Sequence, residues 1–207
     1  MVGEVFLALL AIVVAYLLGS IPSAYLIGRW FKGLDLREAG DGRMGAALTL
    51  RRVGLIGSAI VSIMDVGKGV AAVLLAKALG LPLAVVVVVA LAVVVGHNWS
   101  LFLRFKGGKG ALVTLGVLLS LMFWQLLAAM AVSGIVLIFT NGKTGFASGV
   151  VFLSLAILNL FTGSPIELVI APILISVPMF LKHLSMPKED MAVMAGVESQ
   201  EEGKSLS

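Results

Sequence analysis

Six apolar runs, at about residues 4–27, 54–77, 81–98, 110–139, 145–161 and 165–181, leave this chain almost nothing with which to build a water-facing surface. Of its 207 residues, 60% are hydrophobic and only 13% charged, and the mean hydropathy is +1.12. A soluble domain carries about 25% charged residues. One aqueous core cannot absorb so much apolar side chain, so lipid has to serve as part of the solvent, and there only helices or closed barrels satisfy their own backbone. The first run has Glu4 where a secretory signal carries basic residues, and it stays apolar to Ile27. It therefore reads as a retained span. The chain has no cysteine and two histidines without an HExxH pattern, so disulfides, thiolate clusters and a histidine-ligated metal are not expected, nor is any cofactor.

The run at 110–139 is 30 uncharged residues. As one helix it would be about 45 Å long, against a hydrocarbon core of about 30 Å. Two short helices meeting near Trp124–Gln125 are expected instead. Seven spans with the N-terminus outside put segments 28–52, 99–109, 140–144 and 182–207 in the cytoplasm, with 13 of the 15 basic residues. That is the positive-inside arrangement, whereas a single long helix would strand Lys143 and the C-terminal lysines on the wrong side. The expected fold class is therefore an all-α integral membrane bundle of about seven transmembrane helices, with the C-terminus cytoplasmic. Residues 1–186 form a single transmembrane domain, and 187–207, polar and carrying Glu198, Glu201 and Glu202, form a disordered tail.

Chemistry is concentrated in two basic, glycine-rich loops. In the first, Gly40-Asp41-Gly42-Arg43-Met44-Gly45 matches GxGxxG in form, but a dinucleotide site needs a strand before it and a βαβ unit around it. What survives is an anion cradle of backbone N–H groups beside Arg43 or Arg51; a flexible loop whose arginines anchor topology is the plainer alternative. In the second, GHNWSLFLRFKGGKG at 96–110, Lys106-Gly107-Gly108-Lys109-Gly110 opens the next helix. It offers free backbone donors, a helix dipole and lysine charge to a phosphate. No Walker A loop is present, and an interfacial Trp/Lys anchor is the alternative. Asp65 and Lys68 share a face within the second span, where each charge costs about 2.5–3.5 kcal/mol. They are expected to pair or to face a polar cavity. Lys182 and His183 close the last span.

GSIPSAYLIGR (19–29), DLREAG (35–40), the following glycines with Arg51, DVGKG (65–69) and the long 96–110 motif resemble the bacterial PlsY-type acyl-phosphate:glycerol-3-phosphate acyltransferases. The likeness runs from about Leu18 to Gly116 and more weakly to His183. It implies a multi-pass protein of the bacterial inner membrane that moves an acyl chain from acyl-phosphate to glycerol 3-phosphate, giving lysophosphatidic acid and phosphate. It implies catalytic roles for Arg51 and Lys109 on phosphate and for His183 in orienting the acceptor. Gly40, Gly42, Gly45, His97, Asn98, Gly107, Gly108, Gly110, Asp65 and Lys68 form the expected substrate-binding set. The partners are the two substrates and membrane lipid, with no nucleic acid; oligomeric state is left open.

The chain departs from the family pattern at Asp41, Arg43, Ala47, Leu48, Val113, Asn141 and Met186. A catalytically inactive or acceptor-altered relative that binds acyl-phosphate or lipid is therefore the alternative, and a small transporter using Asp65 and Lys68 a third. No G-x-S-x-G nucleophile elbow is present. An activated mixed anhydride needs positioning and charge stabilisation more than a nucleophile.

Overall fold

The computed structural model describes residues 2–37, 44–139 and 144–185, and among these every regular element is a helix. In chain order they are α1 (Val2–Ser20), α2 (Ser23–Lys32), α3 (Ala46–Arg52), α4 (Leu55–Ala78), α5 (Leu83–Asn98), α6 (Ala111–Leu121), α7 (Phe123–Phe139), α8 (Thr144–Phe161) and α9 (Ile166–Leu184), with a short 3₁₀ turn at Leu101–Leu103. Four segments are long and apolar enough to cross a bilayer: Val2–Lys32, Leu55–Ala78, Leu83–Leu103 and Ile166–Leu184. Large apolar side chains such as Phe6, Ile63, Ile138 and Phe180 point outward, as a lipid-facing surface requires. Residues 38–43, 140–143 and 186–207, with the expected tail and the candidates Gly40 and Gly42, lie outside the described residues.

Two expectations are corrected. The first span does not run unbroken from 4 to 27: the helix stops at Ser20 and restarts at Ser23. Pro22 cannot donate to the helical ladder and sits as the N-cap of α2, and the Ile21 carbonyl just before it accepts from the Ser23 N–H at 3.0 Å. The first basic loop is also not purely a loop, because Ala46–Arg52 is helical, started at Gly45 and tied to α4 by Ser58 Oγ donating to the Ala46 carbonyl at 2.9 Å. The 110–139 run breaks in two as expected, but at Met122 (φ −149°, ψ 61°), just ahead of Trp124–Gln125. At about 1.5 Å per residue, α6 is about 16 Å long, half a hydrocarbon core. Asn159 of α8 packs the break, its Nδ2 donating to Met122 Sδ at 3.4 Å and to the Leu155 carbonyl at 2.8 Å.

Close backbone contacts hold the site-bearing helices. Gly19 of α1 lies on the Val93 carbonyl of α5, and Gly96 of α5 lies reciprocally on the Tyr16 carbonyl of α1. Gly69 of α4 meets the Val113 carbonyl of α6, and Gly116 meets that of Val66. Lacking strong hydrophobic drive in lipid, helices associate through such small-residue contacts. Polar ties finish the seam: Tyr16 Oη donates to the Trp99 carbonyl at 3.0 Å, and Ser100 Oγ to the Ser20 carbonyl at 2.5 Å. The Lys182 ammonium lies 5.6 Å from the centre of the Trp99 ring, so the ends of α5 and α9 share one end of the bundle.

After α2 the chain turns at Gly33 and is clasped at Asp35. Its carboxylate accepts from Arg37 Nη2 at 2.6 Å and Nε at 2.9 Å, while the guanidinium stacks 4.9 Å over Tyr25. The hydrogen bonds from Arg37 hold the Asp35 carboxyl down at about 2. A depressed carboxyl contributes its stability above its unfolded value of about 3.9 and loses it as pH falls toward the folded value. The clasp is therefore constant across neutral pH. Asp35→Asn is expected to speed tryptic cleavage after Arg37 at neutral pH, with only a small fall in the melting midpoint because the pair lies at the surface. Unchanged cleavage would mean that the clasp does not order this turn.

Candidate active site

Where the helix ends converge, a pocket of about 230 Å³ including its open mouth is lined by Ser23 at the start of α2, Met44 before α3, Asp65 of α4, His97 of α5, and Gly107 and Gly108 of the second loop. Its wall carries the polar side chains of Ser23, Asp65 and His97, which suits a small polar head group. Five separate segments meet here because the broken first span lets α2 swing its first residue against α4.

Asp65 Oδ1 is the hub. It accepts from Ser23 Oγ at 2.8 Å, pairs with Lys68 Nζ at 2.9 Å and lies 3.7 Å from His97 Nδ1. The ammonium of Lys68 also donates to the Ile21 carbonyl at 3.2 Å, an acceptor it shares with the Ser23 N–H. Asp65 and Lys68 thus do both things expected of them: they pair, and the carboxylate borders a cavity. Lys68 itself is held behind the wall.

The second loop is built on glycine for a different reason from the one its sequence suggests. The N–H groups of Gly107 and Gly108 are engaged, donating to the Asn98 and His97 carbonyls at 3.2 Å each, and so close the C-terminal end of α5. Both stand against backbone: a methyl on Gly107 would strike the His97 carbonyl, and one on Gly108 would strike His97 Nε2 and come 2.6 Å from the Met44 carbonyl. Gly110, at φ +81°, is the N-cap of α6 in a left-handed conformation that favours glycine, and it faces the Asn98 amide. Among the described residues, no side chain caps α6. The donor-rich element is therefore the α6 N-terminus beyond Gly110, and the free-donor expectation is corrected for Gly107 and Gly108. Asn98 is fully buried, with neither amide atom partnered, and Thr114 Oγ1 one turn into α6 is likewise unpartnered. Buried polar atoms without partners are uncommon and mark a place where a ligand or water completes the set.

The remaining candidates stand apart from the pocket wall. Lys109 is half-buried beside it. Arg51 is exposed on the last turn of α3, and His183 is exposed on the last turn of α9. Gly45 starts α3 with extended backbone (φ −166°) and open space around it. Ser23 was not among the sequence candidates. Its signal was a proline flanked by serines inside an otherwise apolar run.

Together, fold and pocket define an all-helical integral membrane protein with a small polar site at one end of its bundle. Residues 9–191 match the family model described as glycerol-3-phosphate acyltransferase, and the chain belongs to that family. It is 51% identical over 128 residues to glycerol-3-phosphate acyltransferase 2 of Moorella thermoacetica, covering 60% of this chain and 66% of that protein. It is 38% identical over 200 residues to glycerol-3-phosphate acyltransferase of Synechococcus sp. strain CC9902, covering 96% and 98%. The chain thus spans just under two thirds of the Moorella protein and nearly all of the Synechococcus one. The crystal structure of PlsY (YgiH), an integral membrane glycerol 3-phosphate acyltransferase, in its glycerol 3-phosphate form superposes with a TM-score of 0.74 at 29% identity, over 92% of this chain and 93% of that one. Its lysophosphatidic acid form gives 0.71 at 26% identity.

Proposed function

We propose that this chain is a membrane acyltransferase of phospholipid synthesis, taking its acyl group from acyl-phosphate and passing it to the 1-hydroxyl of glycerol 3-phosphate, with release of lysophosphatidic acid and phosphate. Family membership supports the reaction class. The observation that carries the site assignment is the unpartnered, fully buried Asn98 amide facing the uncapped start of α6, next to the pocket wall of His97, Gly107 and Gly108. An uncapped helix start beside Lys109 suits a phosphate. The donor anhydride is already activated, so the protein's task is to hold two anions in register and stabilise charge developing on the carbonyl. The acyl chain lies outside this small pocket, along the apolar outer faces of the helices.

The same reading takes residues 1–186 as a single domain of seven spans in the bacterial inner membrane, with the N-terminus outside, the glycine-rich loops cytoplasmic and 187–207 a cytoplasmic tail. In this orientation α6, α7 and α8 are the three shorter crossings. Arg51 and His183 reach the bound substrates from the rim, with Gly45 alongside at the start of α3.

The test is phosphate release from a long-chain acyl-phosphate by the purified protein, with and without glycerol 3-phosphate. Release that requires the acceptor, and that falls about 10²–10³-fold in Lys109→Ala, is expected if Lys109 stabilises transition-state charge. Saturable acyl-phosphate binding without release, for any polyol phosphate offered, would instead identify a non-catalytic lipid-binding relative.

A further inference from the structure

Two short stretches at the pocket end of the bundle carry aromatics and cations that neither the core nor the pocket uses. The last turn of α2, Arg29-Trp30-Phe31-Lys32, is exposed at all four residues, Trp30 at 73% and Phe31 at 50%. The turn after α5 has a similar composition: Phe102 and Phe105 are each 56% exposed, and Arg104 between them is exposed too. Of residues 101–106 only Leu103 is buried, and it packs in one cluster with Ala24 and Ile27 of α2. The two stretches are therefore tied together, and both leave their aromatic rings outside the protein at the same end.

Arg104 and Phe105 stand at φ 52° and 64°, a left-handed conformation that large side chains seldom adopt. It closes the turn, with the Phe105 N–H donating to the Ser100 carbonyl at 2.8 Å and the Lys106 N–H to the Leu103 carbonyl at 3.0 Å. Glycine would adopt the same backbone freely. A phenylalanine placed there, and left largely outside, gains its stabilisation from what surrounds the protein. Those surroundings are not hydrocarbon alone. The outward Leu9, Leu10, Val13 and Val14 of α1 have no charge within a helical turn, whereas Trp30, Phe31 and Phe105 each adjoin a cation. Among the described residues no carboxylate pairs with Lys32 or Arg104, and Asp35 nearby is clasped by Arg37. Rings at the edge of the hydrocarbon with cations beside them are the chemistry of the membrane interface, where lipid phosphate supplies the counter-charge.

We propose that this surface is a binding site for anionic phospholipid of the surrounding bilayer. Trp30, Phe31, Phe102 and Phe105 seat against the upper acyl chains, and Lys32 and Arg104 hold the phosphate. A net-negative head group is preferred over a zwitterionic one, because the surface offers cations without an unengaged carboxylate for a head-group amine. Gly107 and Gly108 follow directly on the second stretch, so bound lipid also steadies the segment that lines the pocket.

Tryptophan quenching by brominated lipid tests this on the full chain, in vesicles of phosphatidylcholine and phosphatidylglycerol in equal parts. Bromine is carried first by one lipid and then by the other, on the acyl chain near the head group. The Trp30 signal is the difference between wild type and Trp30→Phe. It is expected to favour phosphatidylglycerol about fivefold or more, the scale of one basic residue at an anionic surface. Lys32→Gln/Arg104→Gln is expected to melt near wild type in detergent and to bring the ratio close to one. Each single variant should fall between, which keeps the test decisive should the double variant not fold. Phe105→Trp in the Trp30→Phe background puts a second probe on the other stretch, and the same preference is expected there. Raised salt should erode the preference. Inorganic phosphate at matched ionic strength should erode it no more than chloride does; a stronger effect would mean a free-phosphate site and overturn the proposal. Equal quenching by both lipids in wild type would also overturn it, the result expected if the surface takes an acidic protein instead. So would a preference that survives loss of both cations, or a probe that neither lipid quenches.

Discussion

Asp65→Ala is expected to be among the most destabilising single substitutions in this protein, costing about 3–5 kcal/mol by the general behaviour of buried ion pairs broken on one side. The carboxylate side chain is 3% exposed and the ammonium 5%, so neither charge is screened by water. Removing the carboxylate leaves Lys68 charged inside the bundle with only the Ile21 carbonyl, and deprives Ser23 Oγ of its acceptor. Two sites that bracket the break in the first span are thus unsettled together. Lys68→Ala is expected to do similar harm from the other side. The double variant Asp65→Ala/Lys68→Met carries no buried charge and should be less destabilised than either single one. Its residual cost is that of the unpartnered Ser23 hydroxyl, about 1–3 kcal/mol if left dry, since the Ile21 carbonyl keeps the Ser23 N–H. Melting midpoints in one detergent, arranged as a double-mutant cycle, check this. Additive losses would mean that the two charges do not depend on each other.

The parts of the fold legible in sequence are those where a single physical requirement dominates. Leu55–Ala78 and Ile166–Leu184 fall within three residues of the runs expected, because lipid demands an uninterrupted apolar stretch and Gly54 and Pro165 mark the starts. The break at Met122 was legible from length alone, to within two or three residues. The break at Pro22 was missed because Ser20, Pro22 and Ser23 are outweighed by the apolar residues on either side; the structure marks it by Lys68, 47 residues away, donating to the Ile21 carbonyl. Within the site, the 96–110 motif lines the pocket through His97, Gly107 and Gly108, but the N–H groups of Gly107 and Gly108 are engaged and not free. A glycine spared a Cβ for close backbone packing looks the same in sequence as one that frees an N–H for an anion. Gly107 and Gly108 belong to the first kind. Arg51 and His183 were chosen by family likeness, which carries residue identity without carrying distance.

That distinction gives the second large expected effect. Gly107→Ala places a methyl against the His97 carbonyl and near the Asn98 carbonyl, all backbone, so no flexible side chain can yield. Either the loop lifts off the end of α5 or the helix end unwinds. Both outcomes break the 3.2 Å hydrogen bonds from Gly107 and Gly108 and move His97 and Asn98. Overpacking of this kind costs about 1–3 kcal/mol. The larger consequence is for turnover, since a displacement of about 1 Å at a reacting group can cost about 10²-fold in rate. Gly108→Ala is expected to act similarly through the His97 ring and the Met44 carbonyl. Gly67→Ala supplies the comparison: it lies exposed in α4 with nothing near its missing methyl, and should melt slightly higher and work normally. Gly45→Ala separates packing from binding. Its extended backbone and open surroundings accept a methyl without strain, so a stable Gly45→Ala protein with a raised KM would place substrate at Gly45. If Gly107→Ala instead keeps its melting midpoint and its kcat and weakens only phosphate-bearing substrates, the loop contacts its ligand directly, and the packing account of Gly107 is wrong.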